Sequence, residues 1–212
     1  MFIIPYWIDL LGVLMFAMSG ALAASDRNIH RDFFGITFTG FITAIGGGTI
    51  RDIILDLHPL AWIRDMNYMI AIGTGVTLSV VFSKALSYLR RTLFLFDTMG
   101  IALYTILGVQ KSLAAGVNPI AAVVLGMFSA VFGGVLRDTL LNEIPLIFRK
   151  EIYATACLAG GTLYALLVYN QTNVTAAAFA GIALIIVIRI LAVVNSWSLP
   201  SVGQSEKHQK EG

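Results

Sequence analysis

The sequence predicts an all-α polytopic membrane protein: seven transmembrane helices, arranged as two inverted three-helix repeats plus a seventh helix. Three observations predict it. The composition is too apolar for a soluble fold, seven apolar stretches have spanning length, and a set of uncommon residues recurs at a fixed offset.

Of the 212 residues, 58% are hydrophobic and 12% are charged, and the mean hydropathy is +0.83. A soluble domain carries about 25% charged residues. So much apolar surface needs lipid as solvent. The net charge of +2 and the lack of a basic stretch interleaved with aromatics point away from nucleic acid as a partner. His30, His58 and His208 have no metal-ligand spacing, and no metal or other cofactor is expected. The sequence has no nucleophile elbow, phosphate loop or zincin motif, so an enzyme is not expected. Cys157 stands inside an apolar run and is the sole cysteine. It reads as a small core residue.

A spanning helix needs about 20 mostly apolar residues. Such stretches run over 6–24, 33–57, 66–86, 93–113, 118–142, 151–169 and 175–195. Turn and charge signals separate them, among them His58-Pro59, Arg90-Arg91, Asn118-Pro119 and Arg149-Lys150. The segment 199–212 turns polar and reads as a mobile tail. The first stretch ends in Ala21-Leu22-Ala23-Ala24-Ser25, like a signal-peptidase site, but no Lys or Arg precedes it. It is taken as the first span.

Lys and Arg set the orientation. One side receives Arg27, Arg31, Lys84, Arg90, Arg91, Arg149, Lys150, Lys207 and Lys210; the other receives only Arg64 and Lys111. The expectation is a cytoplasmic C-terminus and an N-terminus outside.

The repeat follows from residue matches. Asp9 and Gly12 match Asp97 and Gly100, 97 − 9 = 88, and Gly20 matches Gly108. Beyond the first loop the offset is 137 − 51 = 86. Gly40 then matches Gly126, Gly47-Gly48 matches Gly133-Gly134, Arg51-Asp52 matches Arg137-Asp138, and Pro59 matches Pro145. An odd number of spans per unit turns the second copy over, and solute paths of such proteins lie at the repeat interface. The units are expected at 1–92 and 93–172, the seventh helix at 173–198 and the tail at 199–212.

The strongest local signal is Gly46-Gly47-Gly48-Thr49-Ile50-Arg51-Asp52, with its partner Phe132-Gly133-Gly134-Val135-Leu136-Arg137-Asp138. Consecutive glycines each cost a helix about 1 kcal/mol relative to alanine. They let a helix bend or open and free its carbonyls toward a polar path. The other reading is close helix packing, with Ser129 four residues before Gly133. Charged residues inside a span face the protein interior, pair, or line water. Neighbours on a helix do not face one another. The expectation is therefore that Arg51 pairs with Asp138, and Arg137 with Asp52, either along a path or as structural locks. Thr39, Thr43 and Gly47 lie four apart, and Ser129 is the repeat equivalent of Thr43. Their hydroxyls could replace an ion's water or bond to carbonyls at i−4. Phe132 replaces Gly46 in the second copy, as a block or as packing. Asp9 and Asp97 read as carboxylates favoured by helix N-termini.

These paired motifs, in two three-helix repeats plus a seventh helix, resemble bacterial proteins grouped by a glycine-transporter domain. Those are similar to the prokaryotic TRIC (trimeric intracellular cation) channels. The resemblance covers about residues 6–195. It implies a homotrimer in a bacterial inner membrane, with a path for K⁺ or other monovalent cations inside each protomer. It also implies kinks at Gly46–Gly48 and Phe132–Gly134 in the second and fifth spans. The alternative is a secondary transporter for a small amino acid such as glycine, with helix ends holding the carboxylate. A third reading is a purely structural protein.

Overall fold

The structure is a computed structural model and describes residues 5–26, 32–82, 92–149 and 152–197. Arg27, Arg31, Lys84, Arg90, Arg91, Lys150, Lys207 and Lys210, and the tail 199–212, lie outside the described residues. So does the Arg149 side chain.

The described residues form nine helices and no strand: α1 (Tyr6–Asp26), α2 (Phe33–Ile54), α3 (Ala61–Arg64), α4 (Met66–Val81), α5 (Thr92–Ala114), α6 (Pro119–Leu140), α7 (Leu146–Arg149), α8 (Ala154–Tyr169) and α9 (Val174–Val194). Five of them, α1, α2, α5, α6 and α9, are long and apolar enough to cross a membrane. The other two expected spans are the shorter apolar helices α4 and α8, of 16 residues each. At 1.5 Å per residue these rise about 24 Å, short of a hydrocarbon core of about 30 Å. In the chain, the four-residue helices α3 and α7 precede them.

Local chemistry starts the helices. Asp32 caps α2 by accepting the Gly35 N–H at 3.1 Å. Asn118 caps α6 with Pro119 in its first turn, and Asn173 caps α9. The ends of α2 and α6 repeat each other. Leu57 N–H donates to the Asp52 carbonyl at 2.8 Å, and Glu143 N–H to the Asp138 carbonyl at 2.8 Å. In each turn an Asp or Asn, Asp56 or Asn142, takes φ of 53°. These are the residue types, after glycine, that tolerate the left-handed region.

Helices α1 and α5 are central, with most of their residues buried inside the protein, whereas α9 is peripheral, with most of its residues outside the core. Trp7, Phe33, Phe34, Tyr169 and Trp197 are exposed near helix ends. Aromatic side chains favour that level of a bilayer.

Candidate functional site

The glycine motifs meet where α2 crosses α6. A Cβ added to Gly47 would lie 1.8 Å from the Ser129 carbonyl oxygen, and one added to Gly133 would lie 2.4 Å from the Thr43 carbonyl oxygen. Residue 43 faces 133 and residue 47 faces 129, so the two helices run antiparallel. The contact is its own repeat image, since 43 + 86 = 129 and 47 + 86 = 133. The flanking contacts recur as well. Gly40 abuts the Ala17 carbonyl, and Gly126 abuts the Thr105 carbonyl.

No interruption occurs at the glycines. Helix α2 is continuous through Gly46, Gly47 and Gly48, and α6 through Phe132, Gly133 and Gly134. The missing side chains admit the partner's backbone. Thr43 Oγ1 donates to the Thr39 carbonyl at 2.6 Å, and Thr39 Oγ1 to the Gly35 carbonyl at 2.8 Å. Ser129 instead donates across the crossing to the Gly47 carbonyl, at 3.3 Å. All three hydroxyls are buried. Phe132 is half-buried, and so is Thr49, whose Oγ1 accepts the Trp62 indole N–H at 3.1 Å.

The expected cross-pairing of arginines and aspartates is corrected. Arg51 binds its own neighbour: Nε lies 2.8 Å and Nη2 2.7 Å from Asp52 Oδ1. Arg137 does likewise, with Nε at 2.8 Å from Asp138 Oδ1. The antiparallel crossing is the reason. Arg51 lies four residues beyond Gly47 in one direction, and Asp138 five beyond Gly133 in the other. Gly133 faces Thr43 and so lies four residues from Gly47 along the axis, and thirteen residues of rise separate Arg51 from Asp138 by about 20 Å. The long arginine stem folds back over its own last turn instead.

Two charge clusters result, one on each side of the crossing. In the first, Asp9 Oδ2 accepts the Tyr68 hydroxyl at 2.8 Å and lies 3.3 Å from Lys111 Nζ. The Arg51 guanidinium stands 6.0 Å from the Tyr104 ring centroid. In the second, Arg137 Nη1 reaches Asp97 Oδ1 at 2.9 Å and Ser19 Oγ at 2.6 Å. Tyr153 donates to Asp97 Oδ1 at 3.3 Å, and Arg189 Nη2 lies 3.5 Å from Asp97 Oδ2. Asp138 Oδ2 accepts the Leu146 N–H at 2.9 Å. Asp97 is thus not a helix-terminal carboxylate. It is the sixth residue of α5 and fully buried on a guanidinium. Asp9 does sit in the first turn of α1.

A cavity of about 810 Å³ opens onto the first cluster. Asp9, Asp52, Tyr68, Gln110 and Lys111 line it, with Asp56, His58, Arg64 and Asp65 nearer the α2–α4 connection. A void of about 10 Å³, the size of one water molecule, continues inward past Asp9 and Asp52 to Gly48, Thr49, Arg51 and Tyr104. Asp9 Oδ1 and Arg51 Nη1 are buried without a hydrogen-bond partner among the described residues, and both residues line that void. At the outer rim the Tyr6 hydroxyl and the Asn67 N–H hold the Asp65 carboxyl below its usual range.

The structure therefore brings Thr43, Gly47, Ser129 and Gly133 together, and divides Arg51-Asp52 from Arg137-Asp138. The sequence reading missed Lys111, Tyr68, Tyr153 and Arg189 as partners of the charged residues. Arg189 had a signal: it is the lone charge in the apolar stretch 175–195.

The sequence model of a family described as Glycine transporter matches residues 6–84 and 94–169. This chain belongs to that family. Relatives of this glycine-transporter-family chain carry the UPF0126 name. The Escherichia coli (strain K12) inner membrane protein YadS is 36% identical over 203 residues, 95% of this chain and 97% of that protein. A Deinococcus radiodurans UPF0126 membrane protein is 41% identical over 157 residues, 73% of this chain and 72% of that one. Among solved structures, the TRIC trimeric intracellular cation channel orthologue from Rhodobacter sphaeroides superposes with a TM-score of 0.84 at 33% identity, over 90% of this chain and 97% of that one. Another TRIC cation channel structure gives 0.83 at 29% identity, over 97% and 100%. The TRIC resemblance read from the twin motifs therefore holds across nearly the whole chain.

Proposed function

We propose that this chain is a multi-pass inner-membrane cation channel of the TRIC type, passing K⁺ and other monovalent cations through each protomer of a homotrimer. The observation that carries the reading is the likeness to TRIC cation channel structures over nearly the whole of both chains. In this reading α1, α2, α4, α5, α6, α8 and α9 are the seven spans. Units 1–92 and 93–172 are inverted copies, 173–198 holds the seventh helix, and 199–212 is a cytoplasmic tail with the N-terminus outside. The doubled contacts at Gly47–Ser129 and Gly133–Thr43 support the inversion.

The path enters by the cavity at Asp9 and Asp52 and runs to the α2–α6 crossing. There Gly46, Gly47 and Thr43 face Ser129 and Gly133, with Thr39, Gly48, Thr49, Phe132 and Gly134 on the adjoining turns. Carbonyls and hydroxyls at the crossing replace ion hydration once the helices part. Glycine at the contact lets them part without dragging side chains. Arg51-Asp52 and Arg137-Asp138 flank the crossing as internally neutralised pairs.

The family's description favours a second reading, a carrier for glycine. Reconstitution of the full chain in planar bilayers separates the two. The channel gives discrete unitary currents that reverse at the K⁺ potential, and Gly47→Leu or Gly133→Leu abolishes them. Saturable glycine uptake without such currents would replace the channel by the carrier. Absence of both fluxes would leave a structural role.

A further inference from the structure

The large cavity is wider and more apolar than an entrance for K⁺ requires. Its volume of about 810 Å³ falls in the range of small-molecule sites. Leu57, Leu107, Leu113, Val168 and Val174 wall part of it. Such side chains offer a hydrated ion nothing, but they can cover methylenes. The carboxylates stand at two depths. Asp9 and Asp52 are buried, whereas the Asp56 side chain is 96% exposed and Asp65 lies at the outer rim. Contacts run inward from that rim: Asp65 accepts the Tyr6 hydroxyl, the Tyr6 and Tyr68 ring centroids lie 6.4 Å apart, and Tyr68 donates to Asp9.

We propose that this cavity binds an aliphatic diamine in its doubly protonated form. One ammonium sits at Asp9 and Asp52, the other at Asp56 and Asp65, and the methylenes lie against the apolar wall. The site stands apart from the channel reading, since binding needs no current; on that reading the ligand occupies the cation entrance. Three observations support this ligand class. Asp9 already holds an alkylammonium, with Lys111 Nζ 3.3 Å from its Oδ2. The other oxygen of that carboxylate, Oδ1, has no partner among the described residues, although Asp9 is only 6% exposed. An ammonium brings three donors to such a group. Next, Tyr6, Tyr68 and Tyr164 line the cavity, and aromatic rings attract ammonium groups. Last, four aspartates of the lining stand against Arg64 and Lys111, an excess that favours a dication over a monocation. A zwitterion such as glycine suits the lining less well. Lys111 is engaged by Asp9, which leaves Arg64, of the Arg and Lys lining, to meet a carboxylate among four others.

The test is thermal unfolding of the full-length protein in detergent, titrated with putrescine, butylamine or glycine while KCl holds the ionic strength constant. Putrescine is expected to raise the melting temperature saturably, by about 3–6 °C at about ten times its dissociation constant. Butylamine, with one charge, is expected to bind more weakly, and glycine to give no shift. Asp56→Asn should lower putrescine affinity about two- to fivefold, the scale of one exposed ion pair, and leave butylamine unchanged. This variant keeps its turn, because Asn142 takes the same φ of 53° at the equivalent position. Asp9→Asn should lower the affinity for both amines about tenfold or more, the scale of a charge-assisted hydrogen bond. If Asp9→Asn does not fold, Asp56→Asn decides. A putrescine shift no larger than butylamine's, an equal shift with glycine, or unchanged putrescine affinity in Asp56→Asn overturns the proposal. A wild-type protein with no K⁺ current refutes the channel reading, while the amine titrations still decide whether the cavity takes a diamine.

Discussion

Replacing Gly47 with alanine tests the crossing directly. The new methyl would stand 1.8 Å from the Ser129 carbonyl oxygen, where carbon–oxygen contact begins at about 3.3 Å. The helices must therefore separate by about 3.3 − 1.8 = 1.5 Å, or shift along their axes. The obstacle is main chain, so no rotamer change relieves it. Overpacking of this kind costs about 1–3 kcal/mol, and the Ser129–Gly47 hydrogen bond at 3.3 Å is lost for about 1 kcal/mol more. Better helix propensity returns up to about 1 kcal/mol. A net loss of roughly 1–4 kcal/mol lowers the melting temperature of a chain this size by about 2–16 °C. The assay is thermal unfolding of purified protein in detergent, followed by retention on gel filtration. Gly73→Ala on α4 is the control, because nothing lies within 4 Å of its added methyl. It should melt at or above the wild-type temperature. If Gly47→Ala melts with Gly73→Ala, the backbone contact does not exist and the crossing geometry is wrong.

Two further outcomes follow from the charged residues. Arg51→Asp leaves two adjacent buried carboxylates and should destabilise by about 3–5 kcal/mol. Adding Asp52→Arg should recover much of that loss in thermal unfolding, whereas adding Asp138→Arg should not; rescue by Asp138→Arg alone would reinstate pairing across the crossing. At the rim, the Tyr6 hydroxyl is the chief cause of the lowered Asp65 carboxyl. A carboxyl lowered on folding adds stability at neutral pH and loses it as pH falls through the lowered value. Tyr6→Phe should thus melt below wild type at pH 7, with the gap closing below the ordinary carboxylate value of about 4. A gap that does not change with pH would deny the Asp65 contact.

The helical class, the five long apolar helices and the twin motifs were legible because each rests on local chemistry. Apolar length, glycine pairs and turn residues such as Asn118-Pro119 act within a few positions of themselves. The matched residues of the two halves were legible for the same reason, and Asp56 and Asn142 add a matching backbone turn. What the sequence hid was direction. Spacing placed Gly47, Thr43, Ser129 and Gly133 on a shared face, but not whether their helices part or touch. Helix neighbours point about 100° apart, which argued against Arg51 meeting Asp52. Arginine's reach defeats that argument at a helix end, where the stem can wrap the last turn. Asp97 was misread because a helix start expected at 93 falls within a residue of the observed Thr92, yet its carboxylate faces inward to Arg137.

On the proposed channel reading, the arrangement also answers how arginines can border a cation path. The first cluster sets Arg51 and Lys111 against Asp9 and Asp52, and the second sets Arg137 and Arg189 against Asp97 and Asp138. Each is two positive groups to two negative, so neither leaves a net charge buried in the hydrocarbon layer, where it would be costly. Neutrality alone would make the path indifferent to sign. The cavity breaks the tie. Its Asp, Arg and Lys lining is Asp9, Asp52, Asp56 and Asp65 against Arg64 and Lys111, a balance of 2 − 4 = −2. A low-dielectric cleft of that sign concentrates cations at its mouth. Cation preference would then arise at the entrance, and the buried arginines would serve to hold carboxylates at fixed positions along the way.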